Sequence, residues 1–263
     1  MKIGIVYDER KEKAHSHALR VKDDLWEEKG IGGVITSNEH LTLLKSEEIK
    51  DLDLFLVFGG DGLLLHTANL VAPYEIPLLG VNYGSLGYLC KANPAEIDIE
   101  KILAKDYRIE ERTRVLAKIL SKGISIKELD ALNEIVVGGI SKTVWLEVGS
   151  KFFKAKTKGD GILVATKTGS TAYNLRAGGS VLAIEKSFSI VAICGFFDSP
   201  TLLPEAKAIV VPSSTALRIK SLYETEGNLP CVIADGQRQY QLKARQIVLI
   251  GKSRHKTLLI ELC

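Results

Sequence analysis

Cysteine is scarce and scattered. Cys90, Cys194, Cys231 and Cys263 are far apart and form no C-x-x-C pair, so neither a zinc knuckle nor a disulfide framework is suggested and reduced, mostly buried thiols are the expectation. Histidine is as thin: His15 and His17 lie in a polar helix start, His40 and His255 stand alone, and no two histidines have metal-site spacing. A dominant charge is lacking too. The 35 basic and 32 acidic residues are interspersed, giving a formal net charge of +3. No basic block able to neutralise many phosphates is present, so nucleic acid is not the expected partner. No run approaches the ~20 continuous apolar residues that span a bilayer, and MKIGIVYDER lacks the order of a signal peptide. A soluble cytoplasmic protein with no membrane partner is expected.

What the chain does have is core-forming material: 46% of its 263 residues are hydrophobic, enough for one large domain or two modest ones. KIGIVY (2–7) reads as a strand. Ala14, Ala18, Val21 and Leu25 then recur at helical spacing before Gly30. LDLFLV (52–57) and PLLGVN (77–82) read as two further strands, separated by a helix over 63–72 that Pro73 stops. Strands alternating with helices predict a parallel sheet.

After Pro94 and a short helix in AEIDIEKILAKD the texture changes. RIEERTRVLAKIL, ALNEIVVGG, KTVWLEVG, GILVAT, FSIVAICG, ALRIKSL and QIVLIG are strand-length runs separated by Gly, Pro, Asn and Ser. The predicted architecture is an α/β N-terminal domain with a parallel sheet, residues 1–93, and a β-rich C-terminal domain, residues 94–251. The last segment, 252–263, has the option of returning to the first domain.

Three stretches carry chemistry. In FGGDGLLLH (58–66), Gly59, Gly60 and Gly62 surround Asp61 directly after a buried strand, at the end of the sheet where α/β proteins bind ligands. Glycine lets backbone N–H groups approach a phosphate, and the following helix adds its positive dipole end. A tight turn with Asp61 as helix N-cap accounts for the tetrapeptide equally well. In LNEIVV (132–137) the polar pair Asn133 and Glu134 interrupts an apolar strand, and a turn entering a strand suffices to explain it when taken alone. KGDGILVATKTGSTAYNLRAGG (158–179) holds Asp160 between glycines, then a strand, then a loop dense in Gly, Ser and Thr. Tyr173 in that loop can stack on a planar ring. Other nucleotide patterns fail: no G-x-G-x-x-G occurs, GKS (251–253) has Gln246 where a P-loop needs glycine, and YGSLG (83–87) lacks the first glycine of a nucleophile elbow.

In this order and spacing, GGDG (59–62), NE (133–134) and GDG followed by TGSTAYN (159–174) resemble the NAD kinase family, enzymes that phosphorylate NAD to NADP with ATP or, in some bacteria, polyphosphate. VNYGSLGYL (81–89) and ADGQ (234–237) are similar to two further family segments. The resemblance implies a site in a crevice between two domains and homodimers or homotetramers whose neighbouring subunit completes it. It implies that Asp61 is the base near the adenosine ribose, and that Asn133 and Glu134 hold that part of NAD. Thr171, Ala172 and Tyr173 would line the adenine pocket, and Asp160 would meet the nicotinamide end. A carboxylate within reach of the 2′-hydroxyl can take its proton as the oxygen attacks the γ-phosphorus. Glycine-loop N–H groups and Mg²⁺ can neutralise the transferring oxygens.

The sequence also departs from the family. Leu63 stands where Thr is frequent, Lys167 where Pro is usual and Arg176 where a small residue is common, and ICGFFDSPTLLP (193–204) lacks the usual histidine segment. Lys167 or Arg176 could add charge for a phosphate donor, the alternative being a solvated cation. His66 sits one turn into the helix, where it could reach the phosphates, though a lone helical histidine more often packs against its neighbours. Two other functions fit parts of the pattern: a GGDG kinase acting on a lipid or sugar alcohol, and a non-catalytic sensor of NAD(H) or NADP(H).

Overall fold

The computed structural model describes residues 1–85, 87–139, 142–200, 202, 206–222 and 229–262. The chain forms two compact units, one of residues 1–112 with the segment from His255 onward, the other of Thr113–Arg254.

The first unit is built on β1 (Lys2–Tyr7), α1 (Glu12–Asp23), β2 (Gly32–Ser37), α2 (Ser46–Ile49), β3 (Leu54–Gly59), α3 (Asp61–Val71), β4 (Leu78–Asn82) and α4 (Ile99–Leu103). Strand order is β2-β1-β3-β4, every pair parallel. β3 is buried at all six positions, as a strand covered on both faces requires. Ala14, Ala18, Val21 and Leu25 are buried against this sheet with Ile3, Ile5 and Leu56, and α1 passes at its end into a π-turn over Asp24–Glu28. β2 has no counterpart in the expectation. Gly32 and Gly33 blank its apolar signal, yet a Cβ on Gly33 would meet Ile3 O at 1.8 Å, so close strand pairing demands glycine there.

The helix expected over 95–106 is broken. Asn93 Oδ1 accepts from Ala95 N at 3.1 Å and starts a 3-10 turn, then Asp98 Oδ1 accepts from Lys101 N at 3.2 Å and starts α4. Two competing caps produce two short helices. Ile97, Ile99 and Tyr107 pack on the core of the first unit, where Ile102 is fully buried, so residues 94–112 belong with it.

β5 (Tyr107–Ser121) carries the chain into the second unit. There follow β6 (Ile124–Ala131), β7 (Glu134–Gly138), β8 (Val144–Gly149), β9 (Lys154–Gly159), β10 (Gly161–Ala165), α5 (Tyr173–Arg176), β11 (Ser187–Ile193), β12 (Ala208–Pro212), β13 (Leu217–Ser221), β14 (Cys231–Ala234), β15 (Arg238–Gln241) and β16 (Ile247–Leu262). One antiparallel sheet runs β12-β11-β10-β7-β14-β15. Opposite it lie β9, β8, β13 and the first half of β16, with the hairpin of β5 and β6. Val137, Ile162 and Ile190 from one sheet and Leu146, Val148 and Ile219 from the other close a single apolar core, the arrangement of a sandwich. TLLIEL is the second half of β16, in the first unit, where Leu259 pairs with Leu78 of β4 in parallel.

Candidate functional site

In the first unit the order β2-β1-β3-β4 makes the chain leave β1 toward one side and return to β3 on the other. The carboxyl ends of β1 and β3 are therefore the switch point where open α/β sheets bind ligands. GGDG closes β3 there. Gly60 is extended and is the N-cap of α3 without a side-chain bond, and Asp61 is already the first helical residue, so the N-cap reading of Asp61 does not hold. The glycines differ in what the fold asks of them. A Cβ on Gly59 would press on Leu63 Cδ2 at 2.8 Å, one on Gly60 would only touch Lys11 Nζ at 3.5 Å and Gly84 Cα at 3.6 Å, and one on Gly62 would meet nothing within 4 Å. Packing among the described residues does not require glycine at 60 or 62, and a missing side chain there lets a ligand come close to the Cα.

The segment after β4 wraps the Asp61 carboxylate. Oδ2 accepts the N–H of Tyr88 at 2.9 Å, and Oδ1 accepts those of Leu89 at 3.0 Å and Cys90 at 2.9 Å. Gly87, at φ +64 and with Asn82 Nδ2 only 2.4 Å from where its Cβ would stand, lets the chain turn into this position. A carboxylate offers about four acceptor sites. Three are filled by the described residues, which leaves one on Oδ2 among them. Cys90 is buried beside it, and its thiol is pushed up to about 12 by burial and by the Asp61 charge.

In the second unit the Asn133–Glu134 pair is built by two supports. The Asp235 carboxylate, in the β14–β15 turn, accepts the N–H groups of Leu132 at 2.9 Å, Asn133 at 2.7 Å and Glu134 at 3.1 Å. Asp235 and Gly236 have φ of +52 and +67, as a tight hairpin turn requires. From the other side the TGST turn closes on Asn133: Thr166 N donates to Asn133 O at 2.9 Å, and a Cβ on Gly169 would lie 2.1 Å from that oxygen. Asn174 is fully buried and donates to Ser170 O at 2.9 Å and Ser180 O at 3.0 Å. These bonds fix the loop and leave Thr171 and Tyr173 exposed and Ala172 half-buried.

Glu134, Asp160 and Tyr173 come together around a cavity of about 720 Å³, with Val136, Lys142 and Gln239. Glu134 Oε2 and Asn133 Oδ1 are buried without a hydrogen-bond partner among the described residues, a state that calls for a ligand or water. Burial, helped by the Asp235 charge, raises the Glu134 carboxyl from 4.5 to about 8. At neutral pH it is mainly the neutral acid, able to donate a hydrogen bond. Asp160 is held by its backbone, Gly139 N donating to its carbonyl at 2.9 Å and its own N–H donating to Ile193 O at 2.9 Å. Its side chain is exposed, and it raises the neighbouring Cys194 thiol by hydrogen bonding and charge. Cys194 is thus the exposed exception among thiols, with Cys90 and Cys231 buried and Cys263 outside the described residues. Tyr173 is also raised, first by burial and then by Cys194, Asp160 and Glu134.

Of the departures, Lys167 lies 3.6 Å from Glu185, both half-buried, so it is neither a solvated cation nor an uncommitted charge. Arg176 is exposed at the end of α5. Residues 201 and 203–204 of ICGFFDSPTLLP lie outside the described set. Among the described residues no three His, Cys, Asp or Glu gather as a metal cage, and no helix is long and apolar enough to cross a membrane. Two residues escaped the sequence reading. Asp235 was visible only as part of a turn, and Lys11 lies far in sequence from the glycines it meets.

The family model for the ATP-NAD kinase N-terminal domain matches residues 3–107, and that for the ATP-NAD kinase C-terminal domain matches residues 132–262. The chain belongs to the ATP-NAD kinase family. A NAD kinase of Heliobacterium modesticaldum is 34% identical, over 99% of this chain and 93% of that protein. One of Carboxydothermus hydrogenoformans is 35% identical, over 82% of this chain and 76% of its own length. Among solved structures, yeast NADH kinase complexed with NADH has a TM-score of 0.83 at 21% identity, covering 99% of this chain and 83% of the other. A NAD kinase from Archaeoglobus fulgidus in complex with ATP has a TM-score of 0.74 at 23% identity, covering 100% and 94%. Those two likenesses establish the ATP-NAD kinase fold for this chain.

Proposed function

We propose that this ATP-NAD kinase family member phosphorylates the adenosine ribose 2′-hydroxyl of NAD to give NADP, with ATP or polyphosphate as donor and Asp61 as general base. The observation that carries this reading is the single acceptor position left on Asp61 Oδ2 among the described residues, beside Gly60, whose missing side chain packing does not demand. As the 2′-oxygen attacks the γ-phosphorus, Oδ2 takes the hydroxyl proton, the bond to the bridging oxygen breaks and ADP or the shortened polyphosphate leaves. The 88–90 N–H groups hold the carboxylate in one orientation, so no reorganisation is needed at the moment of transfer.

In the second unit Asn133 and Glu134 hold the adenosine ribose, Thr171, Ala172 and Tyr173 line the adenine, and Asp160 meets the nicotinamide end. The Asn133 and Glu134 oxygens left without a partner among the described residues suit a ligand rich in hydroxyl groups. Glu134 as a neutral acid donates to the ribose or accepts from it. Mg²⁺ supplies charge neutralisation on the transferring phosphate when bound. Asp61 is the residue that would help to hold such an ion, the donor phosphates and water supplying the rest, since Mg²⁺ rarely needs an all-protein cage and no three His, Cys, Asp or Glu gather as one among the described residues. The enzyme works in the cytoplasm as a homodimer or homotetramer. Leu175, Val181 and Ile184, each at least half exposed near Tyr173 in sequence, supply apolar surface for a neighbouring copy, and light scattering on the purified protein reads the subunit count.

The test is NADP formation by the purified protein with NAD, Mg²⁺ and either ATP or polyphosphate. A lipid or sugar kinase would phosphorylate its own alcohol and leave NAD untouched, and a sensor would bind NAD without turnover.

A further inference from the structure

We infer that Lys11 is a phosphate-binding residue of the donor site, placed over the glycine loop by the β1–α1 connection. The inference rests on the proposed kinase reading, because that reading brings a polyanionic donor to GGDG. Lys11 belongs to the loop after β1, the other half of the switch point whose first half is the loop after β3. Its Nζ stands 3.5 Å from where a Cβ of Gly60 would be. The ammonium therefore stands beside the Gly60 backbone, within reach of a phosphate oxygen that approached it.

The ammonium is aimed, not splayed. Nζ donates to Tyr83 O at 3.0 Å, and Tyr83 N in turn donates to Gly59 O at 2.7 Å. Tyr83 is fixed at its other end by a 2.5 Å hydrogen bond with His17 Nδ1. An ammonium has three donors, and Tyr83 takes one. Asp8 Oδ2 is 3.8 Å away, too far for a hydrogen bond.

The ion pairing around Lys11 also leaves it able to meet an anion. Asp8 is buried, and burial alone would raise its carboxyl, but the Arg10 hydrogen bond and charge outweigh this and keep it ionised. Arg10 Nε and Nη2 sit on its two oxygens at 3.0 and 3.3 Å. Asp8 is paired with Arg10, which leaves Lys11 as the cation that offsets the Asp61 charge beside the glycine loop. The carboxylate nearest the glycines, Asp61, has three of its acceptor sites filled by backbone N–H groups, so a donor phosphate meets Lys11 as well as the loop amides.

The experiment compares the wild type with Lys11→Met, Lys11→Arg and Lys13→Met, the last removing a charge two residues along α1. Kinetics with ATP and NAD and calorimetric titration of inorganic tripolyphosphate are measured for each. Loss of one charge-assisted hydrogen bond to phosphate predicts a roughly 10- to 100-fold weaker tripolyphosphate affinity and a similar rise in KM for ATP for Lys11→Met. KM for NAD stays within about twofold of wild type, Lys11→Arg recovers most of the loss, and Lys13→Met matches wild type. A merely structural tether to Tyr83 would not split the two KM values. Unchanged tripolyphosphate affinity and KM for ATP in Lys11→Met would overturn the inference. Should Lys11→Met not fold, acetylation of wild-type Lys11 decides: tripolyphosphate slows it relative to Lys13 if the inference holds, and leaves the ratio unchanged if it does not. Tripolyphosphate binding that depends on Lys11 in a protein that forms no NADP supports the inference and overturns the kinase reading.

Discussion

The Asp235 carboxylate accepts the backbone N–H of Asn133 at 2.7 Å across a separation of 102 residues. With its bonds to Leu132 and Glu134, it sets where β7 begins and hence where Asn133 and Glu134 stand. Asp61 does the same for Tyr88, Leu89 and Cys90. Each unit uses one aspartate to clamp a loop by three N–H groups.

Replacing Asp235 with Ala removes all three acceptor bonds from a buried site. We expect a loss of about 2–4 kcal/mol in stability by denaturant titration, the scale of buried donors left without partners, together with a KM for NAD raised at least about tenfold. Stability and NAD affinity within error of wild type would refute the clamp.

Glycine substitutions separate packing from ligand access. Gly169→Ala puts a Cβ 2.1 Å from Asn133 O and is expected to lower stability by roughly 1–3 kcal/mol or to misplace Asn133. Gly62→Ala finds nothing within 4 Å and lies in the first turn of α3, so stability should be unchanged or higher by up to about 1 kcal/mol. Its cost is expected in KM for ATP. Thermal melts and kinetics on the two variants give opposite patterns if the glycines have these different duties.

Glu134 makes stability depend on pH. Its folded value, about 8, lies above the ordinary 4.5, so the folded state binds a proton that the unfolded state releases. The contribution is complete below about 4.5 and is lost as pH rises through about 8. Glu134→Gln removes this descending limb, and denaturant midpoints between pH 5 and 9 reveal it. A wild-type profile that does not fall across this range would show that Glu134 ionises normally.

Much of this was legible in the sequence because it is local. β1, β3 and β4 are continuous apolar runs, α1 has its four buried residues at helical spacing, and GDG with TGSTAYN carries its glycines in order. What was hidden depends on contacts between distant residues. β2 was masked by Gly33, whose bareness serves the Ile3 backbone. Lys11 meets Gly60 only because β1 and β3 pair in parallel. Asp61 read equally well as a cap, and the three N–H groups that it accepts come from a loop 27 to 29 residues away. Asn174, part of the most specific motif, is a buried brace, whereas its neighbour Tyr173 faces the cavity.

The central claim is that Asp61 accepts the ribose proton, and the most direct measurement is NADP formation by wild type and Asp61→Asn at saturating NAD and ATP, with NAD binding measured alongside. The account predicts a turnover loss of at least about 100-fold, the lower end for losing a general base, with NAD affinity nearly intact. Wild-type turnover in Asp61→Asn, or no NADP from the wild type with any donor, would contradict it.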